Sequence, residues 1–472
     1  MLFSSYEFML FFLPIVLAGY FLLAPRAGKD AAHFWLVLAS LVFYGWFNPS
    51  YLWIILSSVV VNYLAVRLIE RQPAGGRIRK VFFAWGILFN LGLIGYYKYT
   101  DFLLANCNAL LKTDFPALRI LLPLGISFFT FQQISCLVDA YKGIRLANLS
   151  FINYTLFVTF FPQLVAGPIV HHQEMMPQFD RPDAGKPNSH HLAGGLHILA
   201  IGLFKKLVIA DQVAVWATRG FSSPDPLTFT QAWFVALAYM MQIYFDFSGY
   251  CDMALGIGKM FNIHLPVNFN SPYRAVNIKD FWLRWHITLG RFLSHYVYLP
   301  LGGSRKGLFR TNLNLLLTFF VSGLWHGAGW TYVLFGCMHG IAMVVHRLWN
   351  HFGFSMHRRL GRALTFLFFM TSLVLFRADC VNTALRIWGG MLDFSSILSP
   401  HGIRDIVKPG FSVRGSVLLL VALTVVCLTC KNAARRSVTF RPTRLRLAET
   451  VLFLTWSVLT MSRISPFIYF NF

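Results

Sequence analysis

The chain has 472 residues, of which 56% are hydrophobic and only 12% are charged. Soluble domains carry roughly 25% charged residues, so this composition excludes an ordinary soluble enzyme and favours one integral membrane domain over residues 1–472. The formal net charge is +23, but the basic residues lie in short loops between apolar runs and do not form the patch of a soluble nucleic-acid binder. We therefore expect membrane lipid, and no nucleic acid, as the surroundings of this protein.

Apolar runs along the chain predict an all-α protein with about eleven transmembrane helices. Several runs are shorter than the roughly 20 residues that a perpendicular span requires, so we also expect re-entrant or short tilted helices. The first run lacks the basic flank and the cleavage site of a signal peptide, which predicts a retained helix. The candidate spans are residues 8–24, 33–48, 50–66, 81–98, 118–138, 151–170, 192–213, 229–247, 312–330, 331–348, 363–378, 412–430 and 448–462.

Clusters of Lys and Arg predict the orientation of the chain in the membrane. The loops 67–80, 305–310, 357–362 and 431–446 are rich in basic residues, and cytoplasmic loops carry such an excess. The loop at 431–446 thereby places residues 463–472 on the outer side of the membrane, and Arg26 and Lys29, which follow the first apolar run, place the N-terminus there too.

Residues 246–311 are too polar to form continuous spans. They contain P-V-N-F-N-S-P-Y-R at 266–274 and D-F-W-L-R-W-H-I-T-L at 280–289, and G-L-W-H-G follows at 323–327. Irregular backbone at membrane depth is tolerated where it is buried in protein or lines a cavity. We expect short or tilted helices here around a central funnel, within a motif-rich catalytic core at about 244–345.

Two histidines of this core each follow a tryptophan in otherwise apolar sequence, His286 and, 40 residues later, His326. A titratable ring in such a segment is a candidate functional residue, and imidazole titrates near neutral pH, as a general base requires. A hydrogen-bonded packing histidine explains His326 equally well, and an interfacial amphipathic helix explains His286 better. The sequence does not show whether the two rings meet.

Other polar residues allow weaker hypotheses. Asp246 and Asp252 are expected to form ion pairs with basic residues of the region that follows, such as Arg274 or Lys279, and a proton relay is the less favoured alternative. P-L-G-G-S-R-K-G at 300–307 joins a glycine turn to two basic residues. Such a turn could meet the phosphates of a nucleotide-like cofactor or of lipid headgroups, although a cytoplasmic basic loop explains it as well. The two basic residues of the turn are Arg305 and Lys306.

Patterns of metal-dependent and serine hydrolases are missing. The chain has no H-E-x-x-H and no G-x-S-x-G, and its seven cysteines are scattered. His171-His172 and His190-His191 are adjacent pairs, and neighbouring positions do not face one another on a helix. We therefore expect no metal site and no disulfide framework.

Taken in order, several motifs resemble the MBOAT family of membrane-bound O-acyltransferases, in particular the bacterial alginate O-acetyltransferase type. The resemblance covers nearly the whole chain. Relatives of this type act on other exopolysaccharides, including cellulose, and on peptidoglycan, and the teichoic-acid D-alanyl transfer protein is a more distant cousin. The motifs are M-L-F-S-S-Y-E-F, P-L-G-I-S-F-F-T-F-Q, F-F-P-Q-L-V-A-G-P-I, Y-F-D-F-S-G-Y-C-D-M-A, N-F-N-S-P-Y, F-W-L-R-W-H-I-T-L, V-Y-L-P-L-G-G and G-L-W-H-G.

The resemblance implies that His326 is the catalytic residue and that His286 is a second required histidine. It also implies a ring of helices with a funnel from each face, located in the bacterial inner membrane. The donor would be cytoplasmic acetyl-CoA, acting as a substrate and not as a bound cofactor, with Arg305 and Lys306 near its phosphates. The acceptor would lie outside, reached directly or through a periplasmic SGNH-type acetyltransferase or another exopolysaccharide-acetylation subunit.

Two other classes of function remain open on the sequence. A polysaccharide-precursor transporter is one, although transporters often show inverted repeats and this chain shows no such symmetry. A purely structural membrane subunit of an exopolysaccharide synthase is the other.

Overall fold

The computed structural model describes residues 1–397, 402–407, 412–430, 432–461 and 467–468, without the side chains of 437 and 438. Helix is the regular structure of this part of the chain, which contains no strand. The predicted all-α class is therefore confirmed. Position 431 of the last basic loop, and all of 463–472 except 467 and 468, lie outside the described residues.

The helices vary widely in length, from 4 to 35 residues. In chain order they are α1 (Glu7–Ala27), α2 (Lys29–Gly45), α3 (Tyr51–Arg71), α4 (Arg77–Leu111), α5 (Ile126–Tyr141), α6 (Phe151–Thr159), α7 (Phe161–Leu164), α8 (His172–Phe179), α9 (Ser189–Phe221), α10 (Phe229–Met260), α11 (Ile278–Trp282), α12 (Ile287–Leu293), α13 (Gly307–His326), α14 (Trp330–His351), α15 (Arg358–Arg377), α16 (Val381–Leu392), α17 (Val413–Thr429), α18 (Ala433–Val438) and α19 (Arg444–Thr460).

Among the described residues, six helices are long and apolar enough to cross a membrane, namely α1, α3, α4, α9, α14 and α15. With the shorter helices they form the polytopic membrane protein that the composition predicts. The count of eleven spans, the central funnel and the single domain over 1–472 stay predictions.

Three predicted spans differ clearly from the structure. The run at 118–138 becomes helical only at Ile126, because Gly125 before it has left-handed backbone with a φ of 68°. The run at 151–170 is divided into α6 and α7, because Phe160 leaves the helical conformation just before Pro162, which cannot continue a helix. The run at 229–247 continues instead to Met260 as the 32-residue α10. Part of the region predicted to be irregular is therefore regular helix, since its first proline comes only at Pro266.

The chain forms two compact units. The first comprises Met1–Gly202, Tyr250–Val267 and the described part of Ser437–Phe470. The rings of Phe3 and Phe8 lie 5.0 Å apart in its core, and Phe8 also contacts Phe43. Polar side chains join its apolar helices, since Asn90 on α4 donates a 2.6 Å hydrogen bond to Asn62 on α3. Hydrogen bonds of this kind hold membrane helices together.

The second unit comprises Leu203–Gly249 and the described part of Asn268–Arg436. Its helices α13 and α14 pack along their length and cross most closely at two glycines. A Cβ added to Gly323 would clash with the carbonyl oxygen of Tyr332, and one added to Gly336 would clash with that of Phe319. Small residues let helix backbones approach in this way, and the crossing fixes the end of α13.

Gly323→Ala should lower the free energy of unfolding by about 1 to 3 kcal/mol, because the added methyl group meets rigid backbone atoms. The same substitution at Gly92 on α4, where nothing lies within 4 Å of the added carbon, should leave stability unchanged or slightly higher. Thermal unfolding of the two purified variants in detergent measures the difference. Equal unfolding midpoints would contradict the tight crossing.

Candidate active site

The two tryptophan-flanked histidines lie together in the second unit. His286 and His326 are both buried, at 1% and 2% exposure, and their ring centroids are 6.5 Å apart. The Trp325 ring contacts both imidazoles, at 5.7 Å from His286 and 5.0 Å from His326. The structure thus brings together two residues whose relation the sequence left open.

His286 occupies an unusual backbone conformation between α11 and α12. Its φ of 45° and ψ of 52° lie in the left-handed region, which non-glycine residues adopt at a cost and often at functional sites. The single amphipathic helix considered as an alternative for this segment is therefore wrong, because the helix is interrupted at residues 283–286. The break turns the imidazole inward, where it meets the edge of the Phe247 ring at 4.8 Å.

The N-F-N motif holds this break in place. The backbone N–H of Asn270 donates to the carbonyl of Arg284 at 2.9 Å, and that of Ile287 donates to the carbonyl of Asn268 at 3.0 Å. The side-chain oxygen of Asn268 accepts from the backbone N–H and the hydroxyl of Thr288, at 3.2 and 3.0 Å. Asn268 is fully buried, so its role is to organise the segment that carries His286.

Asn268 also fixes the tautomer of His286. Its side-chain oxygen lies 3.1 Å from His286 Nδ1. This atom is the amide oxygen and not the amide nitrogen, because the backbone N–H of Thr288 donates a hydrogen bond to it. His286 Nδ1 therefore carries the proton and donates to the amide. The Nε2 atom of the same ring carries a lone pair, so it acts as an acceptor.

His326 is the last residue of α13, which ends as the chain becomes extended at Gly327. The Phe376 ring of α15 meets its imidazole at 5.0 Å and 74°, and Phe335 of α14 meets it at 6.2 Å. Three helices thus enclose the ring in an aromatic wall. Such a wall keeps water from a reacting centre.

A third buried histidine was not identified from the sequence. His339 on α14 is fully buried, and its Nε2 lies 3.0 Å from the hydroxyl of Ser372. Its ring contacts Phe335 at 4.4 Å and Trp282 at 5.0 Å. A polar ring inside the apolar run of α14 was the signal that could have revealed it.

The ion pair expected for Asp246 has a different partner. The ammonium group of Lys206 lies 2.8 Å from Asp246 and 2.9 Å from Asp211, whereas the guanidinium group of Arg274 donates to the carbonyl of Cys430. Pairing of Asp246 with Arg274 or Lys279 was therefore wrong. Lys206 precedes Asp246 by 40 residues, so no local pattern showed it.

A cavity of about 770 Å³ adjoins the two short helices and α13. Trp282, Ile287 and Ser322 line it. Ile287 directly follows His286, and Ser322 lies about one helical turn before His326. Basic side chains line it too. They are Lys279, Arg291, His295, His346, Arg347 and His351.

The structure places the two basic residues of the glycine turn outside this lining. Arg305 and Lys306 are both exposed and follow Ser304, which does line the cavity. They are therefore accessible to a phosphate in solution, but they do not contribute to the wall. No described residue around the two buried histidines supplies a set of metal ligands.

Known proteins resemble the chain throughout its length. The sequence model of MBOAT, the membrane-bound O-acyltransferase family, matches residues 144–376. The peptidoglycan O-acetyltransferase of Helicobacter pylori is 41% identical, over 100% of this chain and 98% of the relative. The probable alginate O-acetylase AlgI of Azotobacter vinelandii is 36% identical, over 91% of this chain and 84% of the relative.

A more distant relative is the teichoic acid D-alanyltransferase of Bacillus subtilis, which is 24% identical over 62% of this chain and 82% of its own length. The two more similar relatives are both named for O-acetyl chemistry, and each match covers most of both chains. The resemblance inferred from the motifs is confirmed, and the chain belongs to the MBOAT family of membrane-bound O-acyltransferases.

Proposed function

We propose that the protein transfers acetyl groups from acetyl-CoA, on the cytoplasmic side of the bacterial inner membrane, towards hydroxyl groups of an extracytoplasmic polysaccharide. The observation that carries this proposal is the buried pair formed by His286 and His326, at 6.5 Å between ring centroids and beside a cavity lined by basic and apolar residues.

The chemistry requires a base and a dry site. The acceptor hydroxyl attacks the thioester carbonyl carbon, the C–S bond breaks, and the proton of the hydroxyl ends on the departing thiol. His326 is the general base that holds this proton during the transfer. The aromatic wall of Trp325, Phe335 and Phe376 around it excludes water, which would otherwise hydrolyse the thioester.

The tautomer of His286 limits the hydrogen bonds that this ring can make to the reacting groups. Because Nδ1 donates to Asn268, Nε2 can accept a hydrogen bond from the acceptor hydroxyl but cannot donate one to the developing oxyanion. We therefore assign His286 to orienting the acceptor, and Asn268 to positioning His286.

The cavity beside the histidines is the donor site that we propose. An apolar cleft of this volume suits the pantetheine chain, and the basic side chains Lys279, Arg291 and Arg347 along it suit the phosphates. Arg305 and Lys306 extend this positive surface outside the cavity, where they can attract the nucleotide part of CoA.

Peptidoglycan is the acceptor polymer that we propose first, because the relative named for peptidoglycan matches the whole chain at 41% identity. Alginate is the second candidate, on the 36% identity to an alginate O-acetylase, and cellulose is a third possibility. In each case the acetyl group reaches the polymer directly or through a periplasmic SGNH-type acetyltransferase.

His326→Ala should reduce acetylation of peptidoglycan by about 10²-fold or more, because it removes the base. Mass spectrometry of wall fragments, from cells that lack the protein and are complemented with each variant, measures the acetyl content. His357→Ala changes an exposed histidine at the start of α15 and should restore full acetylation.

Near-normal acetylation by a His326→Ala protein that accumulates in the membrane would contradict the assignment. If both histidines are dispensable, the protein is a structural subunit. Loss of acetate from alginate or cellulose, with peptidoglycan unchanged, would overturn only the choice of polymer. In reconstituted vesicles, acceptor-dependent release of CoA supports the enzyme, whereas transport without thioester consumption indicates a carrier.

Asn268→Ala should lower kcat by about 10²-fold with little change in the KM for acetyl-CoA, because the reactive ring is misplaced while the donor cavity is kept. Asn268→Asp retains an oxygen for Nδ1 and should recover much of the rate. The measurement is the rate of CoA release by purified protein with a soluble acceptor. Equal losses in the two variants, or a change confined to KM, would contradict the positioning role.

Combined Arg305→Ala and Lys306→Ala substitutions should raise the KM for acetyl-CoA about five- to tenfold at unchanged kcat, since these cations act on binding alone. Acetyl-pantetheine, which lacks the nucleotide phosphates, is the matched substrate and should show no change. An unchanged KM for acetyl-CoA would remove both residues from donor binding, and Arg291→Ala would then test the cavity itself.

A further inference from the structure

A second cluster of titratable side chains lies in the first unit, and the proposed reaction does not use it. Asp139 stands near the end of α5, His171 immediately precedes α8, and His172 is the first residue of α8. The Nε2 atoms of His171 and His172 lie 2.8 and 3.0 Å from the same carboxylate oxygen of Asp139. One ligand atom from each residue falls within 4.8 Å of the other two.

The start of α8 explains how neighbouring histidines can converge. His171 has extended backbone, with φ −89° and ψ 142°, whereas His172 is already helical. The rule that adjacent positions do not face one another applies within a helix, and the helix boundary falls between these two residues. Their ring centroids are 4.5 Å apart and the planes differ by 34°. The expectation from sequence that the pair could not act together was therefore wrong.

The donor set is one that transition metals use. Two imidazole nitrogens and a carboxylate oxygen bind Zn²⁺ at about 2.0 to 2.2 Å, usually in a tetrahedron, and such ligands lie roughly 3.3 Å from one another. The observed separations of 2.8 and 3.0 Å between each imidazole and Asp139 are those of hydrogen bonds, and each is a few tenths of an ångström shorter than the distance between two zinc ligands. The side chain of His171 is 26% exposed, which leaves a path for the ion and a place for a water ligand.

His172 offers only its Nε2 atom to the cluster. The residue is fully buried, and its Nδ1 has no hydrogen-bond partner within the part of the chain that the structure describes. A buried polar atom without a partner costs free energy. Because coordination through Nε2 would leave Nδ1 without a partner too, this cost is common to both states. The strength of coordination to a divalent cation is what would favour the metal-bound state.

We propose that Asp139, His171 and His172 form a binding site for a zinc-like divalent cation that ties the start of α8 to the end of α5. Each ring frees its Nε2 lone pair for the metal by carrying its proton on Nδ1. For His171 this replaces a long 3.4 Å contact in which Nδ1 accepts from the N–H of Gln173. The site uses none of the residues assigned to acetyl transfer.

The chain contains a matched control. His190 and His191 form the other adjacent pair, with ring centroids 6.2 Å apart. Their imidazoles contact the carbonyl of Phe440 and the side-chain oxygen of Asn262, and no carboxylate joins them in a metal-binding group among the described residues. Replacing this pair removes two histidines without touching the proposed site.

The test is Zn²⁺ binding by the full-length protein, purified in detergent without a histidine tag, stripped with a chelator and dialysed against micromolar Zn²⁺. Elemental analysis should find about one Zn²⁺ per chain in the unmodified protein and in the variant with both His190→Ala and His191→Ala. His171→Ala and Asp139→Asn should each lose most of this metal. Size-exclusion profiles establish that the variants are folded.

A second measurement does not depend on the amount of metal retained. Zn²⁺ should raise the thermal midpoint of the unmodified protein and of the His190/His191 variant, because it binds only the folded state. It should not raise the midpoint of His171→Ala. Absence of bound zinc from the unmodified protein, undiminished binding by His171→Ala, or equal loss in the His190/His191 variant would overturn the proposal.

Discussion

The structure depends on one constraint, which is that a polar group shielded from water must find its partner inside the protein. Where 56% of the residues are hydrophobic, the backbone meets this constraint by forming helix almost everywhere. The side chains meet it pairwise, as Asn62 does with Asn90 in one unit and Lys206 with Asp246 in the other. His286 and the side-chain amide of Asn268 follow the same rule. The candidate site therefore uses the same kind of buried polar contact that joins the helices elsewhere.

Both candidate catalytic histidines lie at helix ends. His326 closes α13 and His286 precedes α12. In a helix interior, the ring directions would be set by a regular repeat. At a helix end, the backbone can orient each ring independently of that repeat. The close crossing of α13 and α14 at Gly323 and Gly336 then fixes the end of α13 that carries His326.

The sequence was sufficient for the fold class and the family, because apolar runs and ordered motifs are local signals. It was insufficient for contacts made across the chain. Asp246 was assigned the wrong cation because Lys206 belongs to a different helix, and the hydrogen bond between His339 and Ser372 joins residues 33 positions apart. His171 and His172 were not expected to form a metal site, because both were assumed to lie within one helix, whereas the helix begins between them. The meeting of His286 with His326 also required the packing of α10, α14 and α15.

The left-handed backbone at His286 has a consequence for how the protein matures. This conformation is unfavourable for an isolated chain, and here it is held by hydrogen bonds from the segment at Asn268 and Asn270. The histidine therefore acquires its orientation only after a stretch made 18 residues earlier has docked beside it. A nascent or partly inserted chain therefore has no aligned pair of imidazoles, and the candidate site forms only once the fold around it is complete.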